Sequence, residues 1–275
     1  MKLVTLRTAD GTRAGRLDGD SVVELEDSDV GALLKGGEAR LEAARNASGP
    51  SRRLADIDLA TLVPNPPKVI CVGQNYLAHI LEQGATPPDF PTLFNKYNNA
   101  LIGPRDDITL PRVSEQYDWE VELCIVIGRA GRHIPEADAL DHVAGYTVLN
   151  DFSVRDFQKR TTQWMQGKSF EGTTPVGPCL VTPDEIDPLD LRLWTEVDGQ
   201  VMQDSNTSDL VFKPAQLIAY ISQVFTLEPG DLIPTGTPSG VGMARTPSVW
   251  LREGNVVRCG IDGIGVLENR CVKER

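Results

Sequence analysis

Residues 119–128 of the chain read WEVELCIVIG, an apolar run that is interrupted only by two glutamates. In a β-strand successive side chains point to opposite faces, so Val121 and Leu123 share one face while Glu120 and Glu122 share the other. Such a strand holds the two carboxylates about 6–7 Å apart. The pattern predicts either a paired-carboxylate site or an ordinary exposed strand face whose glutamates are solvated.

A third carboxylate ends the next predicted strand, AGYTVLND at residues 144–151, which closes on Asp151. Three carboxylates from two strands suit a hard divalent cation such as Mg²⁺ or Mn²⁺, with positions left open for substrate oxygens. No histidine belongs to this set, which argues against zinc and non-haem iron. The residues therefore favour a magnesium or manganese site.

The N-terminal part of the chain alternates short β-prone segments with turns. The segments KLVTLRT, TRAGRL and SVVELE are separated by Asp-Gly turns and predict a small antiparallel meander. Residues 27–46 predict helix, divided into two pieces at Gly36-Gly37. The proline-rich stretch LVPNPPK indicates a domain boundary near residue 65. We therefore expect a small N-terminal α+β domain over residues 1–65 and a larger domain over residues 66–275.

The larger part carries strand patterns at KVICVG, WEVELCIVIG and AGYTVLND, and a hairpin turn at Asp262-Gly263. A helix is predicted from Pro214 onwards, because proline suits the first helical turn and an apolar face follows it. That face comprises Leu217, Ile218, Ile221, Val224 and Phe225. Together these elements predict a mixed α/β fold in which β structure predominates.

Composition narrows the classes of function. The 275 residues carry 27 Lys and Arg against 39 Asp and Glu, a formal net charge of −12, which attracts neither nucleic acid nor anionic lipid. No apolar run is long enough for a membrane span or a secretory signal, so we expect a cytoplasmic protein. The five cysteines are scattered and several lie in apolar runs, which predicts buried, reduced thiols.

Two further motifs contain residue types that are used in catalysis. In NYLAHILEQG, His79 and Glu82 are three residues apart, and one helical turn places them side by side. A histidine beside a carboxylate can act as a general base, although a plain surface pair has the same spacing. The segment TGTPSGVG, residues 235–242, could bind an anionic oxygen through its backbone N–H groups. It matches no nucleotide-binding pattern.

Eight stretches, taken in order from about residue 66 to the C-terminus, resemble the fumarylacetoacetate hydrolase superfamily, in its branch of acylpyruvases and 2-hydroxyhepta-2,4-diene-1,7-dioate isomerases. They are VGQNYLAHILEQG, PTLFNKYNNALIGP, YDWEVELCIVIG, AGYTVLNDFSVRDFQ, QGKSF followed by PVGP, VDGQVMQDSNTSDLVF, LEPGD and TGTPSGVG. One such stretch is weak evidence, but eight in the same order are very hard to obtain by chance. The resemblance implies a mixed β-sheet roll around a metal site, with a small N-terminal domain and a homodimeric assembly.

The resemblance also implies roles for individual residues. It makes Glu120, Glu122 and Asp151 the ligands of Mg²⁺ or Mn²⁺, with Ca²⁺ able to take the site in crystals. His79 and Glu82 correspond to the dyad that orients and deprotonates water.

Four more positions match the family pattern. Lys168 corresponds to the lysine that points into the metal site. Arg155, Gln158 and Thr237 fall where relatives hold the substrate carboxylate or its keto oxygens.

The activity implied by the resemblance is metal-dependent hydrolysis of the C–C bond of an acylpyruvate, for example fumarylpyruvate, to pyruvate and a carboxylic acid. Retention of both His79 and Glu82 favours this reaction, because it requires an activated water. The alternative is a 2-oxo acid decarboxylase or isomerase acting on oxaloacetate or hydroxymuconate-type substrates. A third possibility is a metal-binding or scaffolding protein without turnover, which would have no use for His79 beside the metal site.

Overall fold

The computed structural model describes all 275 residues. Its strands, in chain order, are β1 Lys2–Thr8, β2 Gly11–Asp18, β3 Ser21–Glu24, β4 Ser51–Arg53, β5 Ile70–Gly73, β6 Thr92–Asn95, β7 Leu101–Ile102, β8 Ile108–Leu110, β9 Tyr117–Asp118, β10 Val121–Ile127, β11 Val143–Asn150, β12 Ser153–Val154, β13 Thr174–Val181, β14 Arg192–Val197, β15 Gln200–Asn206, β16 Leu232–Pro234, β17 Val256–Ile261 and β18 Gly265–Lys273. The α-helices are α1 Val30–Lys35, α2 Gly37–Asn46, α3 Leu77–Glu82, α4 Arg155–Gln158, α5 Met165–Lys168 and α6 Pro214–Val224. Strands outnumber helices, so the predicted β-rich mixed α/β fold is confirmed.

Two large sheets form the body of the molecule. The first has the strand order β16-β10-β11-β13-β1-β2-β3-β4, with β7 added parallel to β13. The second has the order β15-β14-β17-β18-β8, and its β8 runs parallel to β18. Strands β10, β11 and β13 of the first sheet contact β14, β17 and β18 of the second. This packing places β10 and β11 in the interior.

The N-terminal elements agree with the sequence pattern. Strands β1, β2 and β3 form the predicted antiparallel meander, and α1 and α2 are separate helices that meet at Gly36-Gly37. Strand β1 is also hydrogen-bonded to β13, with Leu3 opposite Leu180, so the meander extends the sheet that carries β10 and β11. The division into residues 1–65 and 66–275 stays a prediction.

Strand β10 is buried on both faces. Its odd-numbered side chains, Val121 to Ile127, belong to a core of 40 buried residues, and Cys124 and Val126 belong to a second core of 21. The predicted alternation is therefore confirmed. The face that carries Glu120 and Glu122 lies inside the protein, which rules out solvated strand glutamates.

Helix α6 begins at Pro214 as predicted, and Leu217, Ile218 and Ile221 are buried. The predicted apolar face extends too far, because Val224 is 52% exposed and Phe225 39% exposed. The helix ends at Val224 and Phe225 is already extended, and the last buried apolar side chain of the helix is Ile221. The hairpin turn at Asp262-Gly263 joins β17 to β18 as predicted.

All five cysteines are buried and free, as the sequence predicts. Burial raises the pKa of each thiol, most strongly at Cys71 and Cys124, so the thiols stay protonated. None of the helices is long and apolar enough to cross a membrane.

Candidate metal centre and active site

Three acidic residues meet where β10 begins and β11 ends. Glu120 precedes β10, Glu122 lies within it, and Asp151 follows β11. The two strands are antiparallel neighbours, with Val121 opposite Asn150, and this register brings the three carboxylates together. One oxygen from each lies within 4.8 Å of the others, and all three residues are buried. The predicted ligand set is thus assembled in one place.

Three buried cations surround these acids. Lys168 Nζ lies 2.5 Å from Glu120 Oε2 and 2.6 Å from Asp151 Oδ2. Arg155 approaches the other oxygen of Glu120 at 2.6 Å. Lys96 donates to Asp151 Oδ1 at 2.7 Å and to the carbonyl oxygen of Phe152 at 3.1 Å. Each oxygen of Glu120 and of Asp151 therefore lies beside a buried cationic side chain.

The two glutamates respond in opposite directions. Burial alone would raise the pKa of Glu120, but the nearby Arg155 and Lys168 outweigh it and lower that pKa to about 2. Burial raises the pKa of Glu122 well above its ordinary value, and the negative charges of Asp151 and Glu120 add to the effect. Lys168 is itself desolvated, yet Asp151 and Glu120 raise its pKa overall, so the ammonium keeps its proton. Glu122 therefore favours its protonated form in the metal-free protein, and its ionised form is the one that the cations of the chain do not compensate.

This imbalance is what a divalent cation would relieve. Together with Asp118, described next, the region holds four buried carboxylates against the buried cations Lys96, Arg155 and Lys168. With all four carboxylates ionised the region has one negative charge in excess, and this charge and the oxygen-only donor set fit a hard cation such as Mg²⁺ or Mn²⁺. With a cation of charge +2 the region becomes positive, as binding of an anionic substrate to an acidic protein requires.

Asp118 accepts hydrogen bonds on both of its oxygens. Oδ2 accepts from Arg155 Nε at 2.8 Å and from the N–H of Met243 at 3.0 Å. Oδ1 accepts from the N–H groups of Trp119 and Gly242, at 2.9 and 2.7 Å. Asp118 thus joins the guanidinium of Arg155 to the glycine-rich loop.

The loop at residues 235–243 binds anions, but the anions belong to the chain itself. Gly236 N–H donates to Glu122 Oε2 at 2.8 Å, and Gly240 N–H lies 3.1 Å from Glu82 Oε2. With the two N–H groups that bind Asp118, four loop amides serve carboxylates of the site. The loop therefore does bind anionic oxygens through its N–H groups, and these oxygens belong to carboxylates of the same chain.

His79 and Glu82 lie side by side on α3. His79 Nδ1 is 2.6 Å from Glu82 Oε1, and the Gln83 side-chain nitrogen is 2.6 Å from His79 Nε2. Because a carboxylate only accepts hydrogen bonds, Nδ1 carries the proton, and the lone pair of Nε2 accepts from the Gln83 amide N–H. His79 is 6% exposed, which excludes a plain surface pair.

One cavity of about 50 Å³ unites most of the predicted site residues. Its lining is mainly polar, since only four of the fifteen residues are hydrophobic. The predicted residues that line it are Glu120, Glu122, Asp151, His79, Lys168, Arg155, Gln158 and Thr237. Glu82 is not part of the lining and reaches the cavity through His79.

The three predicted substrate-binding residues already have partners. Arg155 donates to Asp118 and to Gln158 Oε1, at 2.8 and 2.9 Å. The Thr237 hydroxyl donates to the carbonyl oxygen of Val121 at 3.0 Å and accepts from Gln203 Nε2 at 2.8 Å. Their contact with substrate stays a prediction, and the Thr237 hydroxyl has no proton left to offer.

The sequence reading missed Asp118, Lys96 and Gln83. Asp118 has a signal, since it continues the two-residue period of Glu120 and Glu122. Lys96 has a weaker signal in the sequence. It lies two residues after Phe94, which is buried, and directly after the end of β6, so the two-residue period of the strand places both side chains on the same face.

Comparisons with known proteins agree with this geometry. The sequence profile described as fumarylacetoacetate (FAA) hydrolase C-terminal matches residues 68–272. An oxaloacetate tautomerase of Xenopus laevis, named as mitochondrial, is 42% identical over 288 residues, which cover 99% of this chain and 90% of that protein. The cytoplasmic location and the homodimer expected from the sequence stay predictions.

Solved structures give the same result for the fold. A 5-carboxymethyl-2-hydroxymuconate delta-isomerase from Mycobacterium smegmatis is 38% identical with a TM-score of 0.83, and the match covers 100% of each chain. A maleylpyruvate hydrolase from Sphingobium sp. SYK-6 is 31% identical with a TM-score of 0.81, again over 100% of each chain. Isomerases, tautomerases and hydrolases thus share this architecture.

Proposed function

Since the chain belongs to the fumarylacetoacetate hydrolase family, we propose that it is a divalent-metal-dependent tautomerase that interconverts the enol and keto forms of a small 2-oxo dicarboxylic acid such as oxaloacetate. The observation that carries the proposal is the location of His79: a base oriented by Glu82 lines the same small polar cavity as the acidic triad. The extensive identity to an oxaloacetate tautomerase supports this reaction type.

The lining of the cavity favours a charged substrate. Eleven of its fifteen lining residues are polar or glycine, so it offers little apolar surface to a long acyl chain. Phe94, Trp164, Val72 and Met243 are its only hydrophobic lining residues. We therefore place a four-carbon dicarboxylate ahead of larger aromatic breakdown products.

Glu120, Glu122 and Asp151 would hold the metal. When bound, a divalent cation supplies positive charge that polarises a 2-oxo group and makes the neighbouring C–H bond more acidic. Lys168 keeps its proton and adds a second positive charge at the same place. Both effects favour negative charge on the 2-oxygen.

His79 performs the proton transfer in this proposal. In the keto-to-enol direction Nε2, once released by the Gln83 amide, takes the proton from carbon 3. The C–H electron pair becomes the C2–C3 double bond, the π pair of the C2–O bond moves onto the 2-oxygen, and His79 returns the proton to that oxygen. No atom is gained or lost, and no water is consumed. Glu82 keeps the ring in the tautomer that accepts at Nε2 and stabilises the transient imidazolium.

Hydrolysis of an acylpyruvate is the second candidate function. The same dyad can deprotonate a water molecule, and the 31% identity to a maleylpyruvate hydrolase supports that use. The two functions differ in their products, because hydrolysis releases pyruvate and tautomerisation releases nothing.

The test uses the Mg²⁺-loaded protein with enol oxaloacetate, and separately with acetylpyruvate, fumarylpyruvate and maleylpyruvate. We expect rapid loss of enol absorbance from oxaloacetate without pyruvate formation. Pyruvate and a carboxylic acid from an acylpyruvate at a higher kcat/KM would favour hydrolysis, and pyruvate with CO₂ from oxaloacetate would indicate a decarboxylase.

The matched variants are His79→Gln and His142→Gln, since His142 Nδ1 contacts only the Arg129 carbonyl oxygen outside the cavity. We expect His79→Gln to lose about 10² to 10⁴ in rate, the usual contribution of a general base, with metal affinity unchanged. An unaltered rate in His79→Gln would exclude His79 as the base.

A further inference from the structure

Gln83 occupies the atom of His79 that the proposed reaction uses. Its side-chain nitrogen lies 2.6 Å from His79 Nε2, while Glu82 Oε1 lies 2.6 Å from Nδ1 on the other side of the ring. Since Nδ1 carries the proton, the Gln83 amide is the donor to Nε2. In the free protein the chain itself therefore engages the base, and a substrate must displace the amide before it can lose a proton.

The position of Gln83 allows this displacement. Gln83 directly follows α3 and is exposed, and the bond to His79 is its only side-chain hydrogen bond. Gly84 comes next with a φ of +69°, and residues 84–90 form no helix or strand. His79, by contrast, is 6% exposed and is held by Glu82. The amide is thus the member of this contact that can move.

The displaced amide stays close to the substrate. For proton transfer, carbon 3 must come within about 3–3.5 Å of Nε2. The amide nitrogen of Gln83 now occupies that place. Carbon 4 is bonded directly to carbon 3, so the C4 carboxylate of a 2-oxo dicarboxylate lies beside the vacated position. An amide that donates to a carboxylate makes a charge-assisted hydrogen bond, which is about twice as strong as a neutral one.

The other donors of the cavity are less suited to this carboxylate. Arg155 and Lys168, the two cations of the lining, both face buried carboxylates of the chain. Two further amides line the cavity, those of Gln74 and Gln158, and neither is hydrogen-bonded to the base. Gln83 is therefore the donor whose position is tied to carbon 3.

We propose that Gln83 is a specificity-determining residue, which exchanges its hydrogen bond with His79 for one with a carboxylate on carbon 3 of the substrate. A substrate that carries this carboxylate releases the base as it binds. A 2-oxo monocarboxylate offers the amide no such acceptor and leaves it on Nε2. This role rests on the proposed function of His79 as the base, and it narrows the substrates to 2-oxo dicarboxylates.

The test uses L-malate and L-lactate, two 2-hydroxy acids that differ only in the second carboxylate and cannot tautomerise. Calorimetric titration of the Mg²⁺-loaded protein compares wild type, Gln83→Met and Gln74→Met. Methionine keeps the approximate length of glutamine and removes the donor. Gln74 is the matched control, because it lines the same cavity without a bond to the base. Neither replacement changes the charge of the site.

Wild type should bind malate more tightly than lactate. In Gln83→Met the ratio of malate to lactate affinity should fall by about 10-fold or more, since hydrogen bonds to charged groups usually contribute that much. Gln74→Met should retain the wild-type ratio. An unchanged ratio in Gln83→Met, or a ratio that is lost in Gln74→Met instead, would contradict the role of Gln83.

The exchange can also be followed at the imidazole ring. The chain has three histidines, so ¹⁵N labelling of histidine gives few ring signals. Malate should move the Nε2 resonance of wild-type His79 towards its position in free Gln83→Met, whereas lactate should not. An Nε2 resonance that malate leaves in place would overturn the exchange, and this wild-type result decides alone if Gln83→Met does not fold. Neither acid is consumed, so these outcomes stay distinct from failure of the proposed function, which absent turnover of enol oxaloacetate would show.

Discussion

Replacement of Glu122 by glutamine should stabilise the metal-free protein while abolishing its response to metal. Glutamine keeps the shape of the side chain, and its oxygen can still accept from Gly236 N–H. It removes the charge that Asp151 and Glu120 oppose. Since the raised pKa of Glu122 disfavours its ionised form in the folded state, that charge is a cost to folding.

The magnitude follows from the separation of the acids. One oxygen of each acid lies within 4.8 Å of the others. Two unit charges at that limit repel by about 3.5 kcal/mol at an effective dielectric constant of about 20, and Glu122 has two such neighbours. Attraction to Lys168 and the charge-assisted bond from Gly236 offset most of this. We expect a net gain of about 1 to 3 kcal/mol, or about 2 to 6 °C in Tm for a chain of this size.

The gain should depend on pH in one direction. A carboxyl whose folded pKa lies above its unfolded value lowers stability as pH rises through the window between them. The difference between Glu122→Gln and wild type should therefore be small near pH 4.5 and increase towards pH 8. Scanning calorimetry of EDTA-treated proteins across this range measures it, with the exposed Glu268→Gln as control.

Addition of Mg²⁺ completes the test. Ligand binding to the folded state should raise the Tm of wild type but hardly that of Glu122→Gln. A metal-free variant that is less stable than wild type at pH 8, or a difference that does not vary with pH, would refute the charge repulsion inferred for the triad.

Two other expectations concern the surroundings of the site. Asp118→Ala leaves the buried Arg155 with Glu120 as its only anionic partner. We expect the free energy of unfolding, measured by denaturant titration, to fall by about 3 to 5 kcal/mol. A loss below about 1 kcal/mol would show that Glu120 alone is enough to stabilise the buried guanidinium. Residues 84–90 form no helix or strand, and Phe90 is 67% exposed, so their amides should exchange rapidly in the free enzyme and become protected with Mg²⁺ and oxalate. Equal exchange in both states would refute closure of this segment over a ligand.

The acidic triad could be predicted because each of its members has a local pattern. Glu120 and Glu122 follow the two-residue period of a strand, and Asp151 ends the next strand along the chain. The pairing of β10 with β11 then converts two local patterns into one cluster. His79 and Glu82 could be predicted as a pair for the same reason, since a single helical turn relates them.

The remaining parts of the site depend on contacts between distant segments. Lys96 reaches Asp151 across 55 positions of sequence, and a lone lysine after a short strand does not indicate a buried ion pair. The donors of the glycine-rich loop are backbone N–H groups, which every residue other than proline carries. The sequence therefore does not indicate which carboxylates they bind. Val224 and Phe225 show the converse, because the apolar pattern of the sequence continues past Ile221, the last buried apolar side chain of the helix.

The glycine-rich loop also determines where this site can change during evolution or design. Its amides hold Glu82, Glu122 and Asp118, and an amide cannot be deleted by exchanging one side chain for another. The backbone that aims them tolerates little: Gly236 and Gly240 both have a φ of +99°, and a Cβ at Gly240 would lie 2.2 Å from the carbonyl oxygen of Met202. We therefore expect substitutions at these glycines to disturb the backbone that positions the three carboxylates. New substrate preferences should arise at side chains that line the cavity without a hydrogen bond to the acids, such as Phe94 and Trp164.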